Sequence, residues 1–121
     1  FLGTSSWEDN SILNEPALDG GIFVATSKVY QKDVSKIYNR SFNEDMPSIA
    51  MIAYDILALL NSITISEKEI NVSYILNQEG YLGLRGLFRL NKNGTVERSF
   101  DIKTIKRKKF IVYEEAQSAW N

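Results

Sequence analysis

The stretch from Glu79 to Tyr113 constrains this chain more than any other. An apolar run punctuated by Gly80, Gly83 and Gly86 leads into Asn91-Lys92-Asn93-Gly94, then an alternating segment from Thr95 to Ile105. The basic run Lys106-Arg107-Lys108-Lys109 follows, and Phe110-Ile111-Val112-Tyr113 closes the stretch. Asn-Gly is the pair best suited to the positive φ angles of a tight hairpin turn, so the first turn falls at Asn93-Gly94 and the second at the basic run. The pattern therefore predicts three strands. Val96, Phe100 and Ile102 fall on one face and Glu97, Ser99, Asp101 and Lys103 on the other, the period of a half-buried strand.

Upstream, the chain reads as helix and parallel strand. Ile12-Leu13 suits a short helical turn limited by Pro16, and Gly20-Gly21-Ile22-Phe23-Val24-Ala25 reads as a short buried strand ended by Thr26-Ser27. Ser27 is the expected N-cap of an amphipathic helix whose Tyr30, Val34, Ile37, Tyr38 and Phe42 form a core stripe. Asn43 to Pro47 breaks it, and Glu44-Asp45 there is a solvated pair, since two carboxylates alone make a weak cation site. From Ser48 to about Ile63 a second helix is apolar nearly all round, which predicts a core helix buried on most sides and not a membrane span. Asp55, its one charge, has no acid or histidine at helical spacing and reads as structural. Ser66-Glu67-Lys68-Glu69 has the form of a capping box for a third helix through Leu76. The glycines at 80, 83 and 86 lack the spacing of a phosphate-binding loop and are expected to permit close backbone approach and a bent strand. Asn39, Asn71 and Asn93 fit the glycosylation pattern, but helix and turn roles explain each.

The 121 residues allow one domain at most. Phe1-Leu2-Gly3-Thr4 reads as the tail of a strand already under way, so the chain is expected to be a piece of something longer. With no cysteine and no histidine, disulfides, thiolate chemistry, the commonest general base and the commonest metal ligand are all excluded. No catalytic constellation, metal site or cofactor site can be assembled, and an enzyme is the least favoured class. In an open parallel sheet the carboxyl ends of strands face a ligand crevice, which makes Ser5, Ser6 and Trp7 candidate contacts. The alternative packs Trp7 on the core. Charge is segregated: residues 1–84 carry five Lys/Arg against eleven Asp/Glu, and residues 85–109 carry nine against two. That basic segment is either a face for phosphate or an acidic partner, or a sheet edge protected by lysine; the latter is favoured, and the lack of interleaved aromatics argues against nucleic acid.

Taken in order, Phe1 to Trp7, Gly21 to Ala25, the Tyr/Phe-bearing helix, Ala53-Tyr54-Asp55, Gly80 to Arg89 and Asn93 to Arg98 resemble the C-terminal third of type I periplasmic binding proteins. Within that family the likeness is to the penicillin-binding protein activator branch of Gram-negative bacteria. The resemblance implies a non-catalytic, two-lobed clamshell exported to the periplasm. Residues 1–121 would be a single C-terminal fragment of it, a partial doubly wound, Rossmann-like α/β lobe with an antiparallel strand pair or triplet at its end. Residues 1 to about 26 would lie in the second lobe, the helices from 28 to 79 in the first, and the last strands would cross back. The strand edges and the apolar helix around Ile52 would then need the remainder of the chain or a second copy as partner. Thr4, Ser5, Ser6 and Trp7 match the ligand-contacting loop of the second lobe, with Thr26 near the next strand end; only Glu8 and Asp9 are at hand as acids for an ammonium group. In the activator reading a peptidoglycan synthase is the partner, contacted by Arg98, Lys106, Arg107, Lys108 and Lys109. The alternative reading is a solute-binding protein capturing amino acids or related small molecules for an ABC transporter.

Overall fold

The computed structural model describes residues 1–67 and 69–120. Two sheets share the strands. In the first, β1 (Leu2–Gly3), β2 (Ile22–Ala25), β6 (Asp101–Lys106) and β7 (Lys109–Glu114) lie in that order, β1 parallel to β2 and the other neighbours antiparallel. The second is an antiparallel meander of β3 (Tyr81–Gly83), β4 (Gly86–Leu90) and β5 (Val96–Arg98). Helices α1 (Lys32–Phe42), α2 (Ser48–Glu67) and α3 (Val72–Ile75) come between β2 and β3.

Gly20, at φ 81, turns the chain into β2, which is buried on one face only: Phe23 and Ala25 point inward while Ile22 and Val24 stay exposed. Phe23, Ala25 and Ile105 form the buried centre of this part, flanked by Trp7, Leu13 and Phe110, with the Phe110 ring edge-on to Phe23 at 5.4 Å. On the other side Leu59 and Ile63 of α2 and Leu84, Leu87 and Phe88 are buried. Asp55, one turn before Leu59, is buried as well and accepts the Leu84 N–H at 2.8 Å. Burial pushes its carboxyl above the ordinary value, against the downward pull of the Leu84 hydrogen bond and of the Arg98 and Arg85 charges. The structural reading of Asp55 holds.

Three segments carry the chain between the two sheets: 26–31, 99–100 and 115–120. The first two touch at Gly86, whose φ is 97 and whose missing side chain would meet Ser27 at 3.5 Å and the Ser99 carbonyl at 3.6 Å. The third is held by the Ala116 N–H donating to Asp101 at 2.9 Å, and by Trp120, which lies 4.5 Å from the Arg89 guanidinium.

These crossings account for several departures from the sequence reading. The predicted three strands are five, because the glycine-rich run folds back on itself at Leu84-Arg85 into β3 and β4, and the segment after the first turn leaves one sheet for the other at Ser99-Phe100. Its alternation is real, but inverted: Ser99, Asp101 and Lys103 are buried, whereas Val96 and Phe100 are exposed. Periodicity separates two faces without saying which is inward when the polar groups have partners, as Asp101 and Lys103 do. Ser27 does not cap α1, since the four residues after it make the crossing before the helix begins at Lys32. Ser66 opens no helix either: it lies in the last turn of α2, donating to the Ser62 carbonyl, and Asn71 caps α3 instead by accepting the Ser73 N–H. Lys68 of the expected capping box lies outside the described residues.

Both turns stand where expected. Asn91 and Thr95 close a three-residue loop in which Gly94 alone has positive φ, at 82, and Asn93 accepts the Thr95 N–H. At the second, Arg107 and Lys108 take φ 51 and 60, the left-handed pair of a two-residue hairpin. The helices differ most. No residue of α1 is buried, with Ile37 and Phe42 each 63% exposed, and among its described side chains α2 buries only the line Asp55, Leu59 and Ile63, leaving Ile49, Leu57 and Ile65 exposed. Among the described residues nothing covers these faces. By length and composition alone α2 is also apolar enough to cross a membrane, weak evidence that a core helix meets equally well.

Gly83 packs against the Asp55 carboxylate so closely that a Cβ would overlap it. Gly83→Ala is expected to cost about 1–3 kcal/mol, an overpacking penalty, read as a lower urea midpoint of the full chain. An unchanged midpoint would mean the contact gives way freely.

Candidate functional site

A cavity of about 610 Å³ opens between the two sheets. One wall is built by the carboxyl ends of β1 and β2. There the chain turns into a 3-10 turn, Ser5–Trp7, closed by the Trp7 N–H on the Thr4 carbonyl at 3.0 Å, which sets Ser5, Ser6 and Glu8 along the crevice, while Thr26 and Lys28 follow β2. The facing wall comes from Gln31 and Ser35 at the start of α1, from Asp45, Met46, Ser48 and Met51 around the start of α2, and from Arg85 in the β3–β4 turn.

Of the residues expected to contact a ligand, the structure brings Ser5, Ser6 and Thr26 together on one wall. Thr4 stands behind them, its hydroxyl hydrogen-bonded to that of Ser6 at 2.7 Å. Trp7 turns away from the crevice: its indole lies over Gly3 and packs 6.3 Å from the Phe23 ring, the core placement that was its alternative. Asp45, read as solvated beside Glu44, joins the crevice lining. Arg85, Gln31 and Met51 escaped notice because their proximity depends on the crossing segments, although the glycine-flanked position of Arg85 between two strands marks it as a turn residue.

The electrostatic centre of this wall is Glu8. Its carboxylate accepts from the Lys103 ammonium of β6 and pairs with Lys28 at 3.1 Å. Burial raises the Glu8 pKa, but the hydrogen bonds and charges of Lys103 and Lys28 outweigh it and hold the carboxyl below the usual range. Lys103 is the more deeply buried cation, 10% exposed at its side chain against 61% for Lys28.

The basic residues expected to form one partner surface are divided. Arg98 is half-buried, its guanidinium 5.1 Å from the Phe88 ring and Nη1 without a hydrogen-bond partner among the described residues. Burial lowers its pKa, and neighbouring Arg85 adds to the fall while Asp55 opposes it. Lys106, Arg107, Lys108 and Lys109 are exposed on the β6–β7 hairpin, beside the entry of β2 at Gly20 and Gly21, whereas the crevice lies at its exit. Among the described residues no group of three or more acids could hold a metal ion.

No protein-family model matches the chain, and no curated protein matches it either. Solved structures do. A branched-chain amino acid ABC transporter structure from Rhodospirillum rubrum superposes with a TM-score of 0.72 at 14% identity, covering 92% of this chain and 36% of that one. The fold is that of part of a type I periplasmic binding protein. The branched-chain amino acid substrate binding protein of Streptococcus pneumoniae in complex with isoleucine follows at TM-score 0.54 and 15% identity, covering 96% of this chain and 36% of that one. A solute binding protein of an ABC transporter from R. palustris in complex with benzoate gives 0.52 at 19% identity, with 88% and 32% covered. The chain thus spans about a third of the structures it matches, and at these identities the likeness is one of fold. The α/β class expected from the sequence is the class found. The penicillin-binding protein activator branch is not represented among these structures.

Removing the Glu8 charge strands Lys103 in a buried position, so Glu8→Gln is expected to cost about 3 kcal/mol near neutral pH. The folded pKa of Glu8 lies below its ordinary 4.5, so its contribution is present above that value and lost as pH falls through the lower one. Thermal unfolding of wild type and variant should therefore differ at pH 7 and converge in acid; a constant gap would remove Glu8 as its source.

Proposed function

We propose that this chain is the C-terminal part of an extracytoplasmic solute-binding protein that captures a small carboxylate-bearing molecule for an ABC transporter. In this reading residues 1–25 and 101–114 belong to one lobe, residues 32–98 belong to the other, and the three crossing segments form the hinge. The observation that carries it is the crevice itself. Ser5, Ser6 and Thr26 stand at strand ends on one side and Arg85 on the other, a donor set suited to a carboxylate. Isoleucine and benzoate, bound by two of the similar structures, both carry that group. A protein that binds and releases its ligand unchanged needs no nucleophile or general base, in keeping with a chain that has neither histidine nor cysteine.

The uncovered apolar faces of α1 and α2 fit the same reading, because about two thirds of the matched structure lies beyond the part this chain covers and is there to cover such faces. Packing of α2 inside a completed lobe would make it a core helix rather than a span, and in a Gram-negative cell the protein would work in the periplasm. The peptidoglycan-synthase reading has no supporting observation, since its basic surface is split between the buried flank of Phe88 and the far hairpin.

Calorimetric titration of the full-length protein with amino acids and aromatic carboxylates tests this. One class should bind stoichiometrically, and Ser5→Ala with Ser6→Ala should weaken it by at least about tenfold, the worth of a hydrogen bond to a charged group. A folded protein that binds none of them would overturn the reading.

A further inference from the structure

The crevice wall also speaks to which carboxylate-bearing molecule it suits. A pocket for leucine or isoleucine needs branched apolar side chains around the ligand's own. Here the apolar lining among the described residues is Met46 and Met51, and the rest is hydroxyl, amide or charge. The charges do not cancel. Glu8 is already neutralised by Lys103, leaving Lys28, its second and mostly exposed cation, in surplus. Arg85 has no salt bridge among the described residues, its charge reaching only the buried Asp55 carboxyl that Arg98 also faces, and Asp45 has none either. The wall therefore offers two spare cations and one spare carboxylate.

We propose that the ligand is an acidic amino acid, with its two carboxylates taken by Arg85 and Lys28 and its ammonium group by Asp45. This rests on reading the crevice as a solute site. Lys28 is able to leave Glu8 for a ligand because Lys103 stays behind, so no buried carboxylate is left uncompensated. Leucine in the same place leaves Lys28 without a ligand partner, and a site built for polar groups discriminates strongly against a ligand that lacks them.

Titration of the full-length protein with L-glutamate, L-aspartate, L-leucine, L-isoleucine, benzoate and succinate tests the assignment. The acidic amino acids should bind at least about 100-fold tighter than leucine or isoleucine. Lys28→Met and Arg85→Met should each weaken glutamate by about tenfold or more, with Lys28→Arg restoring most of the loss. Asp45→Asn should weaken glutamate and leave succinate, which has no ammonium group, unchanged. Binding of leucine or isoleucine without glutamate would overturn the acidic ligand and keep solute capture. Glutamate binding untouched by the Lys28 and Arg85 substitutions would place the ligand elsewhere and also overturn it. A panel without any binder would bring down both readings.

Discussion

Lys103 is a buried cation in the middle of a sheet, and its accommodation organises one wall of the crevice. A strand position facing the interior would ordinarily be apolar. Here the ammonium is met by Glu8, which has to be brought there by the turn that follows β1. The pairing fixes Ser5 and Ser6 at the crevice mouth and draws in Lys28 from the first crossing. Glu8 and its two cations, one buried and one mostly exposed, thus tie together three separate pieces of chain, and the geometry of the hydroxyls follows from them.

Local chemistry made much of the fold legible. The turns at Asn93-Gly94 and at the basic run, the strand entered through Gly20, the helix break before Pro47 and the close approach at Gly83 all depend on what a few neighbouring residues can do, and all were readable. What failed depended on distant chain. The inward face of β6 carries Asp101 and Lys103 beside the core residue Ile105 because Glu8 and Ala116, many residues away, supply partners for the two polar groups. Ser27 looks like a helix cap by its neighbours and is a crossing residue by its place against Gly86. The apolar stripe of α1 and the flanks of α2 were expected to be buried and are not, because the described chain brings nothing to lie on them.

The crevice was half legible for the same reason. Ser5 and Ser6 follow from the rule that parallel strands present ligands at their carboxyl ends, and Thr26 from the family resemblance. Arg85, Asp45 and Lys28 follow from neither: each belongs to a different turn or crossing, and only the assembled topology puts them around one space. Trp7, the most conspicuous side chain of its loop, serves the core, where its indole covers the glycine of β1.

The three crossings have a mechanical consequence. A single tether between two bodies permits bending, twisting and sliding alike, whereas three tethers side by side convert twist and slide into stretching of covalent backbone. Bending is the soft motion that remains. Two of the tethers pack against Gly86 and the third is pinned beside the second through Asp101 and Ala116, so in the solute-binding reading they would behave as one leaf spring. Free energy gained by any molecule in the crevice would then be channelled into a single closing coordinate, with little lost to motions that leave the two walls misaligned.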